Sequence, residues 1–117
     1  IELGDTATQV VDEFDVQPSD FVLSRMHGLS PMAGTDLDPI LRNLGVTALI
    51  IAGVSLNVAI PNLVMDAVNR GYRVVLARDA VVGVPTSYGE QVIENTLSLL
   101  AEIVTTDELV AAIASTR

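Results

Sequence analysis

The chain has 117 residues, enough for one core but near the lower limit for layered α/β architecture, so a single domain over residues 1–117 is expected. Six basic against fifteen acidic residues give a formal charge of −9, which opposes the phosphate-neutralising surface that nucleic-acid binding requires and excludes that partner class. With 50% hydrophobic but only 3% aromatic residues and no cysteine, the core must be aliphatic, and disulfides, thiolate metal sites and a cysteine nucleophile are excluded from this chain.

No apolar run approaches the roughly 18 residues of a membrane span and no charged-then-apolar leader opens the sequence, so no membrane partner and a cytoplasmic location are expected. The first residue is Ile1 rather than Met, from which an upstream segment is expected to have been cut away or left out.

Strand and helix signals alternate along the chain. "DFVLSR" (20–25) reads as a short strand and is followed by the Gly/Pro/Ser/Met loop "MHGLSPMAG". Thr35 can cap a helix over 36–44, because Leu37, Ile40, Leu41 and Leu44 share one face and Gly45 stops it. Asp36 and Asp38 suit that helix's positive end. "TALIIA" (47–52) is apolar without alternation, as a strand covered on both faces should be.

A second helix over 58–70 follows, with Ala59/Ile60, Leu63/Val64 and Ala67/Val68 as its stripe and Gly71 beyond its end. Pro61 fits only in its first turn, where a missing N–H costs nothing, which places the start at 57–60. "YRVVLA" (72–77) is another buried strand, and "RDAVVGVPTSYG" the loop leaving it. A long helix over 87–101 turns Val92, Ile93, Thr96, Leu97 and Leu100 inward, "EIVTT" makes a short edge strand, and Asp107 opens a last helix over 107–114. This succession, with no hairpin signal, predicts an α/β fold: a three-layer α/β/α arrangement around a mainly parallel, Rossmann-like sheet.

In such sheets ligands sit beyond the C-terminal strand ends, so the candidate site combines "MHGLSPMAG", "GVSLNVA" and "RDAVVGVPTS". The middle turn joins a buried strand to a helix N-terminus, a place that exposes one side chain beside free backbone N–H groups.

The stretch "MHGLSPMAGTDLDPILRNLGVTALIIAGVSLNVAIPNLVMDAVNRGYRVVLARDAV", with "EIVTTDEL" after it, resembles the isochorismatase-like hydrolases, the superfamily of nicotinamidases, N-carbamoyl amidohydrolases and isochorismatases. The likeness runs from "PSDFVLSR" to "TTDELVAAI" and is firmest at "GTDLD", "GVSLNVA", "DAVNRGYRVV" and "TTDE". It implies a triad of aspartate, lysine and cysteine. The aspartate would lie on a strand upstream of Ile1, so the fold is expected to be incomplete without an N-terminal segment. The lysine position is Met26 and the cysteine position is Ala59.

A methyl group cannot attack a carbonyl carbon, and a thioether can neither donate a proton nor hold an anion. What the resemblance leaves is backbone: N–H groups near Ser55 and Ala59 as an oxyanion position, and a cis peptide between Val54 and Ser55. His27, Met32, Val54 and Asn57 complete the expected pocket, although the plainer readings make His27 a loop residue, Met26 and Met32 apolar filler, and Asn57 a support for the turn. Asp66 and Asp79 are expected to be structural, Asp79 as a loop anchor. Arg25 is no obvious replacement for the lysine, because neighbouring strand residues point to opposite faces. Ser24, Ser30, Ser55 and Ser87 lack an evident basic partner for serine-type attack. One histidine makes a poor metal site, and neither metal nor cofactor is expected.

Three readings stay open at this point. The first is a degenerate family member serving as a small-molecule-binding or subunit module. The second is an active hydrolase of isochorismatase type, which would cleave a vinyl ether with an aspartate acid from the upstream segment. The third is an engineered inactive amidase, against which Met26 argues. Without the upstream strand, the segments at 20–25 and 47–52 would leave apolar edges open, so a homo-oligomer or association with an N-terminal fragment chain is expected.

Overall fold

The computed structural model describes residues 4–116. Four helices and three strands alternate in the order α1 (Leu37–Asn43), β1 (Ala48–Val54), α2 (Ala59–Asn69), β2 (Arg73–Val82), α3 (Thr86–Asn95), β3 (Glu102–Val104) and α4 (Thr106–Ser115). The strands form one parallel sheet in the order β1-β2-β3, flanked by helices. Among the described residues no helix is long and apolar enough to cross a membrane.

The core is aliphatic, as the scarcity of aromatic residues requires. Ile51 of β1 and Val74 and Leu76 of β2 are buried with Ile60, Val64 and Ala67 of α2, and Ile93 and Leu97 close the same cluster. The buried residues of α2 recur at helical spacing, and Pro61 sits in its first turn, where no intrahelical acceptor is lost. Thr35 caps α1 from just outside it: its hydroxyl oxygen accepts the Leu37 N–H at 3.2 Å. On the solvent side, Asp38 of α1 pairs with Arg42 at 3.3 Å and Arg70 at 3.6 Å and accepts the Tyr72 hydroxyl at 2.6 Å. That hydrogen bond to the carboxylate raises the Tyr72 pKa above the ordinary phenol value.

Several expectations need correction. Residues 20–25 are not a strand of the sheet: a strand exists only where a neighbour completes its ladder, and none of the three strands pairs with this segment. β1 is an edge strand and is not covered on both faces. Leu49 and Ile51 face the interior, whereas Ala48, Ile50, Ala52 and Val54 are exposed. β2 continues to Val82, past the expected loop start, because Gly53 and Val54 pair with Val81 and Val82 after a register shift beyond Ile51. The helix expected over 87–101 ends at Asn95 and gives way to a 3₁₀ turn at Leu97–Leu99, which keeps Leu97 buried.

Two polar anchors hold the periphery. The Ser30 hydroxyl donates to the Asp66 carboxylate of α2 and accepts the N–H groups of Met32 at 3.0 Å and Ala33 at 3.1 Å, so one buried hydroxyl pins the 26–34 loop to the domain. Asp79 of β2 accepts the Thr106 N–H at 2.8 Å and the Thr106 hydroxyl at 2.7 Å, tying the start of α4 to the sheet. The helix is capped by Thr105 rather than opened by Asp107: Thr105 and Glu108 form a reciprocal capping box.

Ser30→Ala removes three hydrogen bonds at a buried position and is expected to cost about 1–3 kcal/mol, measured by denaturant unfolding. An unchanged midpoint would show that the loop is held otherwise. The Thr106 hydrogen bonds hold the Asp79 carboxyl below the usual carboxylate range. Its contribution to stability is therefore present above the unfolded value of about 3.9 and lost as pH falls through the lower folded value. Asp79→Asn should lower the melting temperature near neutral pH, with the difference from wild type closing in acid; a difference that persists unchanged at low pH contradicts this role.

Candidate functional site

A cleft of about 500 Å³ opens at the C-terminal end of β1, where an α/β sheet is expected to hold its ligand. Val54, the last residue of β1, and Ala59, the first of α2, form one wall. Phe21, Leu23, Ser24 and Arg25 form another, and Pro31, Thr35 and Leu37 close it from the entry into α1. The volume lies within the range of about 300–1,000 Å³ typical of small-molecule sites.

The turn carrying Val54 and Ala59 is fixed from behind. The Leu56 N–H donates to the Val82 carbonyl at 2.9 Å, extending the β1–β2 pairing into the turn. The Asn57 side chain then acts as a substitute peptide: its amide N–H donates to the Val84 carbonyl at 2.7 Å, and its amide oxygen accepts the Val84 N–H at 2.9 Å. Glycine is required where the two loops meet. A Cβ on Gly83 would lie 3.0 Å from the Gly89 backbone and 3.3 Å from the Asn57 amide oxygen, and one on Gly89 would lie 3.0 Å from the Gly83 backbone. The Val54–Ser55 peptide is cis, as is Val84–Pro85. Ser55 is partly buried and its carbonyl accepts the Ile60 N–H at 3.0 Å, while Ala59, first in its helix, carries an N–H with no intrahelical acceptor.

The expected site residues separate under this geometry. Val54 and Ala59 line the cleft. Met26 does not: its side chain is 72% exposed and Arg25 lines the cleft instead. The strand alternation that directed Arg25 away does not apply, since residues 20–25 are not in a ladder. Met32 is a core residue, 1% exposed. His27 lies over Gly34, where a Cβ would come within 2.9 Å of its ring. Asn57 is the turn support just described, and the segment 78–87, the end of β2 and the turn after it, contributes no lining residue and braces the turn instead.

Arg25 is the residue that sequence reasoning passed over. Its guanidinium donates to the Leu29 carbonyl at 2.9 Å, which uses one of its five N–H donors. No signal in the sequence singles it out; charge accounting in the folded chain does. Arg42, Arg70, Arg73 and Arg78 each have a carboxylate within 4.0 Å, and Arg25 has none among the described residues.

The family model for the isochorismatase domain matches residues 1–108. An isochorismatase-like hydrolase from Alkaliphilus metalliredigens is 25% identical, with a TM-score of 0.86 over 93% of this chain and 60% of its own. An isochorismatase family protein from Burkholderia thailandensis is 28% identical over 81% of this chain and 50% of its own, with a TM-score of 0.77. The pyrazinamidase of Pyrococcus horikoshii, in complex with zinc, is 34% identical over 69% of this chain and 45% of its own, with a TM-score of 0.62. Among the described residues no three of His, Asp and Glu come together to hold a metal. None of the curated proteins compared matches it. The chain thus spans 60% or less of these three solved structures. The domain match over most of its length, on a parallel α/β sheet with a cleft at the end of β1, places this chain in the isochorismatase family.

Proposed function

We propose that this chain is a catalytically degenerate member of the isochorismatase family that keeps a small-molecule cleft and no longer carries out thiol-dependent hydrolysis. One observation carries the reading: the first residue of α2, which lines the cleft at the nucleophile position implied by the family resemblance, is Ala59. A methyl group forms no covalent intermediate, and the chain has no cysteine to supply one from elsewhere. The braced turn behind Ala59 supports retention of the cleft as a binding surface.

The reading is tested by incubating purified protein with nicotinamide and with isochorismate and following product by chromatography. No product above the uncatalysed background is expected from either. Turnover of nicotinamide at rates of about 1 s⁻¹ or more contradicts degeneracy outright. Turnover of isochorismate alone would favour acid catalysis by a group outside these residues.

The same chain is proposed to work in association with a further strand. Among the described residues β1 pairs on one side only, and its Ile50 and Val54 are 53% and 70% exposed, an arrangement prone to edge pairing. The solved relatives, which extend well beyond the matched region, support a strand from outside these residues as the occupant. Sedimentation of the isolated chain should therefore give self-associated species, and a lasting monomer at high concentration would contradict an open edge.

A further inference from the structure

The geometry points to Arg25 as the anion-recognition residue of the cleft, which selects small ligands that join an apolar body to a carboxylate; this deepens the reading of the cleft as a binding site. Three observations meet at this residue.

The first is charge accounting. In a chain with fifteen acidic residues, cations are expected to find carboxylates, and Arg42, Arg70, Arg73 and Arg78 have done so. Arg25 has none among the described residues. The second is position: Arg25 lies on the wall of the cleft, which carries no acidic side chain among its lining residues. The third is donor availability. The Leu29 carbonyl engages one guanidinium nitrogen, which leaves donors for a second partner. A planar guanidinium with free donors matches a carboxylate in two-point contact better than any neutral group.

The remaining walls define the rest of the ligand. Phe21, Leu23, Pro31, Val54 and Ala59 are apolar, so the body between them gains from leaving water and offers no site for a second charge. The Thr35 hydroxyl is already committed, donating to the carbonyls of Pro31 at 2.8 Å and Met32 at 2.9 Å and accepting from Leu37. Arg25 is therefore the charged group of the lining, with the Ser24 hydroxyl and the Ala59 N–H as neutral donors beside it. Ala59 contributes a methyl contact where a larger residue would narrow the cleft.

Benzoate and benzamide test this directly, because they share shape and differ in charge. Titration of each into the purified protein by calorimetry or ligand-observed NMR should give benzoate an advantage of about tenfold, the scale of a charge-assisted hydrogen bond at a partly exposed site. Arg25→Gln should lose about that factor for benzoate and change benzamide by less than about twofold. Arg25→Lys, which keeps the charge but not the fork, should fall between them. Equal binding of the two compounds, no binding of benzoate, or benzoate affinity unchanged in Arg25→Gln would each overturn the assignment. An unshifted melting temperature for Arg25→Gln excludes unfolding as the cause of any loss. Amide hydrolysis by the wild-type protein would refute degeneracy while leaving the Arg25 assignment standing, so the two failures are distinguishable.

Discussion

The clamp that Asn57 places on Val84 is the constraint from which the site's geometry follows. A turn between a strand and a helix leaves backbone groups unpaired on both sides, and any looseness there would move the first helical residue relative to the strand end. Asn57 removes that freedom by presenting an amide to the N–H and the carbonyl of one residue, as a neighbouring strand would. Gly83 and Gly89 allow the two loops to approach closely enough for it, and Leu56 fills the contact beneath them. Val54 and Ala59 are consequently held side by side as a rigid wall. A rigid wall serves a binding site as well as a catalytic one, which is why the loss of a nucleophile need not bring the loss of the cleft.

Charge is distributed to the same end. Four arginines are paired with carboxylates at the surface, where such pairs add little to stability but do cancel local fields. Among the described residues, the arginine with no carboxylate within 4.0 Å is the one that lines the cleft. Against a net charge of −9, one uncompensated guanidinium beside apolar walls is a local exception, and its selectivity for anions comes from short-range geometry rather than from the long-range field.

Much of the fold was legible in the sequence because helices announce themselves by spacing. The stripe Ile60, Val64, Ala67 and the inward Ile93 and Leu97 appear where periodicity put them, whereas Asp79, expected as a loop anchor after its strand, lies within β2 and ties the start of α4 to the sheet. The misreadings share a cause: strands depend on partners that a local pattern does not reveal. "DFVLSR" has strand-like composition but no ladder, and "RDAVV" looks like a loop because Arg78 and Asp79 are polar, although Val81 and Val82 pair with β1. The site inherited this error. Alternation along an assumed strand sent Arg25 away, while the family resemblance put Met26 at the lysine position; without a ladder the alternation does not apply, and Arg25 lines the cleft while Met26 is exposed. Val54 and Ala59 were readable because they flank a strand-to-helix turn that carries the family resemblance, whereas the partner of Asn57, Val84, lies 27 residues away and only the fold reveals it.

The most direct test of the account is a crystal structure of the protein soaked with benzoate. The account predicts the carboxylate within hydrogen-bonding distance of the Arg25 guanidinium, with the ring lying against Val54 and Ala59. Benzoate bound with its carboxylate turned away from Arg25, or bound elsewhere while this cleft holds only solvent, would contradict it.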